Sequence, residues 1–212
     1  LIIHYHDNRF GAMVRIALAP CSPFSVTPRL MRETAELARK YGVLLHTHLA
    51  ETLDEETFCL EKFGKRPLEY DEELGWLGPD VWIAHAVHLR DQDIQKLAHA
   101  GVGVAHCPSS NMLTGAGIAP VPGMLAAGMK VGLGVDGSAA NDCSNMIREA
   151  RQAMLLARVK FGADAMPARK ALWLATVGGA KVMGWEKEIG SLEPGKCADL
   201  SLWDISTLEF AG

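Results

Sequence analysis

Three features predict an α/β fold in which parallel strands form part of a (β/α)8 TIM-type barrel. Short apolar runs alternate with helical segments, as expected of βα units that feed a parallel sheet. Reactive side chains stand at or just past the C-terminal ends of four of these runs: His48 with Glu51, His85, His106 and Asp136. In a closed barrel such groups gather on one face. An open doubly wound sheet would carry a glycine-rich phosphate turn, and no G-x-G-x-x-G or G-K-[ST] follows any run. Only five units are present, so the barrel is partial.

The elements follow in order. Arg15 to Pro20 reads as a strand stopped by a residue that lacks the amide a ladder needs. A polar loop from Cys21 to Ser25 leads to a helix with Thr27 as N-cap and Pro28 at its first position, ending near Tyr41 with Gly42 as the stop. Val43 to His48 is the second strand, followed by a charged helix from about Asp54 to Phe63 and a short helix over Pro67 to Leu77. Val81 to His85 is the third strand, and Asp91 to Ala100 a helix closed by Gly101. Gly103 to Pro108 is the fourth strand, with Ser109-Ser110-Asn111 as its loop. A short helix after Pro122 ends at Gly128. Lys130 to Asp136 is the fifth strand, and helices cover about 145–161 and 168–183, with the Met and Leu positions of Met146–Val159 spaced as a core face. From Gly190 to Asp204 a Pro-Gly turn and a period-two pattern predict a small β-structure. The expected division is therefore 1–189, a partial barrel, and 190–212, the start of a second, β-rich unit.

Composition narrows the function classes. At 212 residues and 49% hydrophobic, the chain can bury a substantial core, and a charged content of 22% excludes disorder. A net charge of -4 without a Lys/Arg cluster argues against a nucleic-acid or anionic-membrane partner. No apolar run approaches the roughly 18 residues of a membrane span. The five cysteines, odd in number and never in C-x-x-C, fit free thiols in a reducing cytoplasm. A homo-oligomer is the default expectation for assembly. The opening Leu1-Ile2-Ile3, with no initiator methionine, reads as the start of a fragment.

His46-Thr47-His48-Leu49-Ala50-Glu51 carries the densest chemistry. Residues two apart on a strand share a face, and two imidazoles beside a carboxylate suit a divalent transition metal with an acid/base neighbour. The competing reading is an ordinary strand end with a capping glutamate. The series of strand-end groups favours function at His85, which alone would read as a core histidine. It does the same for Asp136, which alone would read as a turn former before Gly137. His46 and His88 read as supporting residues, and His99, near a helix C-terminus, as structural. Cys21 and Trp76 are candidates for lining a pocket.

Together, His48-Leu-Ala-Glu51, Ala84-His85-Ala-Val-His88, His106-Cys-Pro-Ser-Ser-Asn111 and Gly134-Val-Asp136-Gly137 resemble the amidohydrolase superfamily, in its deaminase branch acting on purines and triazines. The tail Gly190-Ser-Leu-Glu-Pro-Gly-Lys-Cys-Ala-Asp199-Leu resembles the return of such chains into a small β-sandwich. The resemblance implies that the strands present are the fourth to eighth of the barrel. It also implies hydrolytic deamination of a small purine, with 8-oxoguanine giving urate and ammonia. Other purines, nucleosides or hydroxytriazines are alternatives, as is an inactive incomplete fragment. By the same resemblance one zinc, with iron or manganese as alternatives, is held by His48 and Asp136 and lowers the pKa of water to about 7. Glu51 carries a proton to the substrate ring, His85 hydrogen-bonds the attacking oxygen, and Asp136 takes the water proton. His106 and Asn111 belong to the family signature as either loop-shaping or substrate-contacting residues, and Cys21 is a further candidate for substrate contact. The family's H-x-H pair on the first barrel strand has no counterpart. His4-Tyr5-His6 lies only one βα unit before His48, whereas first to fifth strand requires four units of at least ~30 residues.

Overall fold

The computed structural model describes residues 1–204 and 206. A short helix α1 (Ile2–Tyr5) precedes a two-residue strand β1 (Ala17–Leu18). Helix α2 (Pro28–Tyr41) begins as expected: the Thr27 side chain accepts the Leu30 N–H, and Gly42 ends the helix at φ 65°. Its face of Met31, Ala35 and Ala38 is buried. Strand β2 (Leu44–Leu49) then alternates, with Leu45, Thr47 and Leu49 buried and Leu44, His46 and His48 half-buried on the opposite face. The shared face of the two histidines thus follows from the pleat. Helices α3 (Leu53–Phe63) and α4 (Pro67–Glu73) lead to strand β3 (Val81–His85). Helix α5 (Asp91–Ala100), strand β4 (Gly103–His106), helices α6 (Pro108–Leu113) and α7 (Val121–Ala126) and strand β5 (Lys130–Leu133) complete the sheet.

All neighbouring strands are parallel and pair in chain order, β1-β2-β3-β4-β5. A doubly wound sheet reverses strand order at its ligand crevice; sequential order without reversal is an arc of a barrel. The register sets His48 opposite Ala84, Leu49 opposite His85, and His106 opposite Leu133, so the strand ends lie at one level. The core between strands and helices includes Leu45, Leu49, Ile83, Val104, Val131 and Met124.

Several expectations change. Ser109-Ser110-Asn111 is not a loop but part of α6, because Pro108 at its first position has a backbone angle preset for a helix. Strand β5 ends at Leu133, and Asp136 follows with a left-handed backbone, φ 65°. The last helical stretch is interrupted: α8 (Met146–Phe161) and α9 (Ala168–Trp173) are followed by a π turn, Leu174–Gly178, before α10 (Gly179–Val182). The reason is the close approach to β5. A Cβ at Gly132 would sit 2.7 Å from Gly179 Cα, and one at Gly178 would sit 2.4 Å from the Val131 carbonyl oxygen. The buried face of α8 is Glu149, Ala150, Ala153 and Ala157 rather than its Met and Leu positions, and Val159 is exposed. Small residues let α8 approach its neighbours closely. Trp76 lies in the core, its indole N–H donating to the Met31 carbonyl at 3.0 Å, so it lines no pocket. From Gly190 to Asp204 the described backbone forms turns without strand pairing. Residues 205 and 207–212 of the expected second unit lie outside the described residues. Among the described residues no helix is long and apolar enough to cross a membrane.

Candidate active site

The loops leaving β2 and β3 are stitched to each other. Ala86 donates its amide to the Leu49 carbonyl, and the amides of Val87 and His88 both reach the Ala50 carbonyl at 2.9 Å. To make these bonds Ala50, His85 and Ala86 adopt φ values of 52°, 71° and 53°. That region is uncommon for residues with a Cβ, and it is typically held at functional sites by the surrounding structure. The turns bring strand-end side chains over the C-terminal edge of the sheet.

Four of the expected residues converge there. His48 Nε2 lies 4.0 Å from Asp136 Oδ1. His85 Nε2 lies 3.6 Å from Glu51 Oε2 and 3.8 Å from Asp136 Oδ2. One ligand atom from each of His48, His85 and Asp136 falls within 4.8 Å of the others. His48 Nδ1 donates to the Cys21 carbonyl at 2.8 Å. That fixes the ring and leaves Nε2 free to accept, as a backbone carbonyl behind a metal-binding histidine does. Imidazole and carboxylate donors whose outward atoms converge without bonding one another suit a divalent first-row ion. The donor set therefore fits a metal.

Asp136 is held from both sides. Ser110 Oγ donates to its Oδ2 at 2.5 Å and the Gly137 amide to its Oδ1 at 2.7 Å. Burial pushes this carboxyl up, but the Ser110 hydroxyl, the Gly137 amide and the His85 and His48 rings outweigh it and hold the pKa below the usual range. The Asp136 carboxylate therefore stays ionised.

His85 is buried, and its Nδ1 meets Asn111 Oδ1 at 2.9 Å. Amide oxygen only accepts, so Nδ1 carries the proton and Nε2 is the atom turned to the two carboxylates. Asn111 has no exposed surface, so it reaches the site through His85. His106 is also buried, pushed down to about 4 by burial, and its Nδ1, like Asn111 Nδ2, has no partner among the described residues. Cys21 is exposed, with Sγ 4.0 Å from His48 Nδ1. His46 stacks on Trp82 at 4.8 Å between centroids, and burial, with repulsion from His48, lowers its pKa to about 4. His88 Nε2 donates to the Ala116 carbonyl at 2.8 Å.

Two supports are absent from the sequence reading. Ser110 stands in a segment that reads as a loop in sequence, and only the helix over Pro108–Leu113 brings it to Asp136. Glu55 accepts the amides of Ala50 and Glu51, each at 2.9 Å. Its signal was the spacing Thr52-x-x-Glu55, a capping-box pattern.

Comparison with known proteins agrees with this architecture. The chain is 54% identical over 212 residues to 8-oxoguanine deaminase of Pseudomonas aeruginosa, covering 100% of this chain and 47% of that protein. The structure of atrazine chlorohydrolase from Arthrobacter aurescens TC1 complexed with zinc matches with a TM-score of 0.92 and 36% identity, over 100% of this chain and 47% of that one. An adenosine deaminase from Xanthomonas campestris with bound zinc matches with a TM-score of 0.89 and 34% identity, over 93% of this chain and 45% of that one. The chain thus spans about half the length of the relatives it matches. The amidohydrolase family profile covers residues 5–211, which takes in the whole of the parallel arc and its strand-end cluster; the chain belongs to the amidohydrolase family.

Proposed function

We propose that the whole protein is a zinc-dependent hydrolytic deaminase of a purine base, with 8-oxoguanine as substrate, urate and ammonia as products, and the cytoplasm as its location. The observation that carries this reading is the clustering of His48, His85 and Asp136 ligand atoms within 4.8 Å of one another, with Glu51 3.6 Å from His85. The 54% identity to a deaminase of 8-oxoguanine supports the substrate. His48 and Asp136 would hold the metal with further ligands from the rest of the protein. A divalent ion there supplies the Lewis acidity that makes water a usable nucleophile near neutral pH. In this reading residues 1–189 belong to the barrel and 190–212 begin the return to a β-sandwich.

The residues divide the proton work. Asp136, ionised and clasped by Ser110 and Gly137, takes a proton from the attacking water. His85 Nε2, fixed in direction by Asn111, meets the attacking oxygen. Glu51, 3.6 Å from that nitrogen, carries one of water's protons to the ring nitrogen beside the amidine carbon, and the proton taken by Asp136 passes to the departing amine. One C–O bond forms, the C–N bond breaks, and water's two protons leave on ammonia and on the ring or oxo product.

The test is ammonia release from 8-oxoguanine, guanine, isoxanthopterin and hydroxytriazines by full-length protein, alongside its metal content. The expected result is about one divalent ion per chain and turnover fastest on 8-oxoguanine. Metal-loaded protein that frees no ammonia from any purine would sink the reading.

A further inference from the structure

Glu55 stands in the first turn of α3, buried, and forms no ion pair among the described residues. A capping box sends the carboxylate at this position to the amide of the N-cap residue, here Thr52. Half of that box is present, since the Thr52 hydroxyl accepts the Glu55 amide at 3.3 Å. The carboxylate reaches farther back. Oε1 accepts the Ala50 amide and Oε2 the Glu51 amide, both at 2.9 Å. These bonds close the second side of a turn whose first side, the Ala50 carbonyl, already accepts from Val87 and His88. Ala50 is the residue at φ 52°, and the direction of Glu51 follows from it. Capping α3 alone would be served by an exposed glutamate. This one is buried, and burial, only partly offset by the two amides, pushes it up to about 7.

We infer that Glu55 is a positioning residue: its carboxylate clasps the Ala50–Glu51 turn and thereby aims Glu51 at His85 and the substrate. The inference rests on Glu51 as the proton carrier of the proposed reaction. Glu55→Gln keeps the shape but turns one acceptor into a donor facing an amide N–H. In full-length, metal-loaded protein it lowers kcat for 8-oxoguanine by about tenfold to a hundredfold, the cost of ångström-scale misplacement, with KM nearly unchanged. Because Glu55 acts through Glu51, the double variant E51Q/E55Q is no slower than E51Q alone. Wild-type kcat in E55Q, or a double variant whose loss is the product of the two single losses, overturns the inference. If E55Q does not fold, E55D, whose shorter arm cannot span both amides, takes its place. Amide hydrogen exchange at Ala50 and Glu51 reads the clasp without turnover: slow exchange in the wild type, and at least one of the two amides faster in the variant. Equal exchange in both proteins overturns it. A wild type that releases no ammonia counts against the deaminase reading, and exchange then decides the clasp separately.

Discussion

Asn111→Leu separates two roles for a residue that the sequence leaves between substrate contact and shaping of its surroundings. The side chains of Asn111 and His85 are both buried and share one hydrogen bond of 2.9 Å. Leucine has the same branched skeleton of heavy atoms, though bulkier, but cannot accept, so His85 Nδ1–H is left unpaired in the interior, at a cost of about 1–3 kcal/mol. Part of that is returned, because Asn111 Nδ2 has no partner among the described residues and its removal relieves a buried donor. The net hydrogen-bonding loss is therefore about 1 kcal/mol, the low end of that range, and the extra bulk of leucine in a closed site adds about 1–3 kcal/mol. Activity has no such offset. If the ring's orientation is needed only in the transition state, 1–3 kcal/mol becomes about a 5- to 150-fold fall in kcat at ~1.4 kcal/mol per decade. Steady-state ammonia release by full-length protein and urea unfolding measure the two quantities. KM should stay near wild type, since Asn111 has no surface with which to touch a ligand. A folded variant with raised KM and unchanged kcat would refute the assignment and restore Asn111 as a substrate contact.

Two further predictions concern stability. Gly178→Ala drives a methyl group to 2.4 Å from the Val131 carbonyl oxygen, so the urea midpoint should fall by the equivalent of about 1–3 kcal/mol, and an unchanged midpoint would contradict the close seat of the π turn on β5. Burial raises Glu55 to about 7 and lowers His106 to about 4. The native state thus holds the Glu55 proton that the unfolded chain releases as pH rises from about 4.5 to 7, a loss of about 3 kcal/mol, and refuses the His106 proton that the unfolded chain takes as pH falls from about 6.5 to 4, a loss of similar size. The opposed slopes cancel near pH 5–6, so His106→Gln should make stability fall with rising pH and E55Q should make it rise; urea midpoints across that range that are flat in both variants would refute the assignment.

The parallel sheet and the reactive strand ends are legible because they depend on local pattern. The pleat of β2 dictates that His46 and His48 share a face, and Thr27, Pro28 and Gly42 mark α2 with side chains that satisfy its free backbone groups. The supports of the site are not local in that sense. Ser110 and Asn111 reach Asp136 and His85 across 26 positions of sequence each, from a helix whose six residues carry too little periodicity to identify it. The core of α8 misleads for a related reason. Its apolar period is real, but the neighbouring elements lie so close that alanines occupy the inner face and Val159 is turned out.

The strand-end backbone is a deeper failure of local rules. Sequence reasoning assigns left-handed turns to glycine or asparagine, yet Ala50, His85, Ala86 and Asp136 all occupy that region. Each such residue costs about 1–3 kcal/mol, and the strain persists only where surrounding bonds over-determine it. Those bonds are visible: Glu55, Val87 and His88 at Ala50, Asn111 at His85, Ser110 and Gly137 at Asp136. Glycine at Ala50 would relax the strain and widen the range of directions open to Glu51. The chain instead keeps side chains where strain is greatest and surrounds them with buried acceptors. That arrangement trades stability for fixed direction, and the groups so fixed are those that the proposed reaction needs on station before substrate arrives.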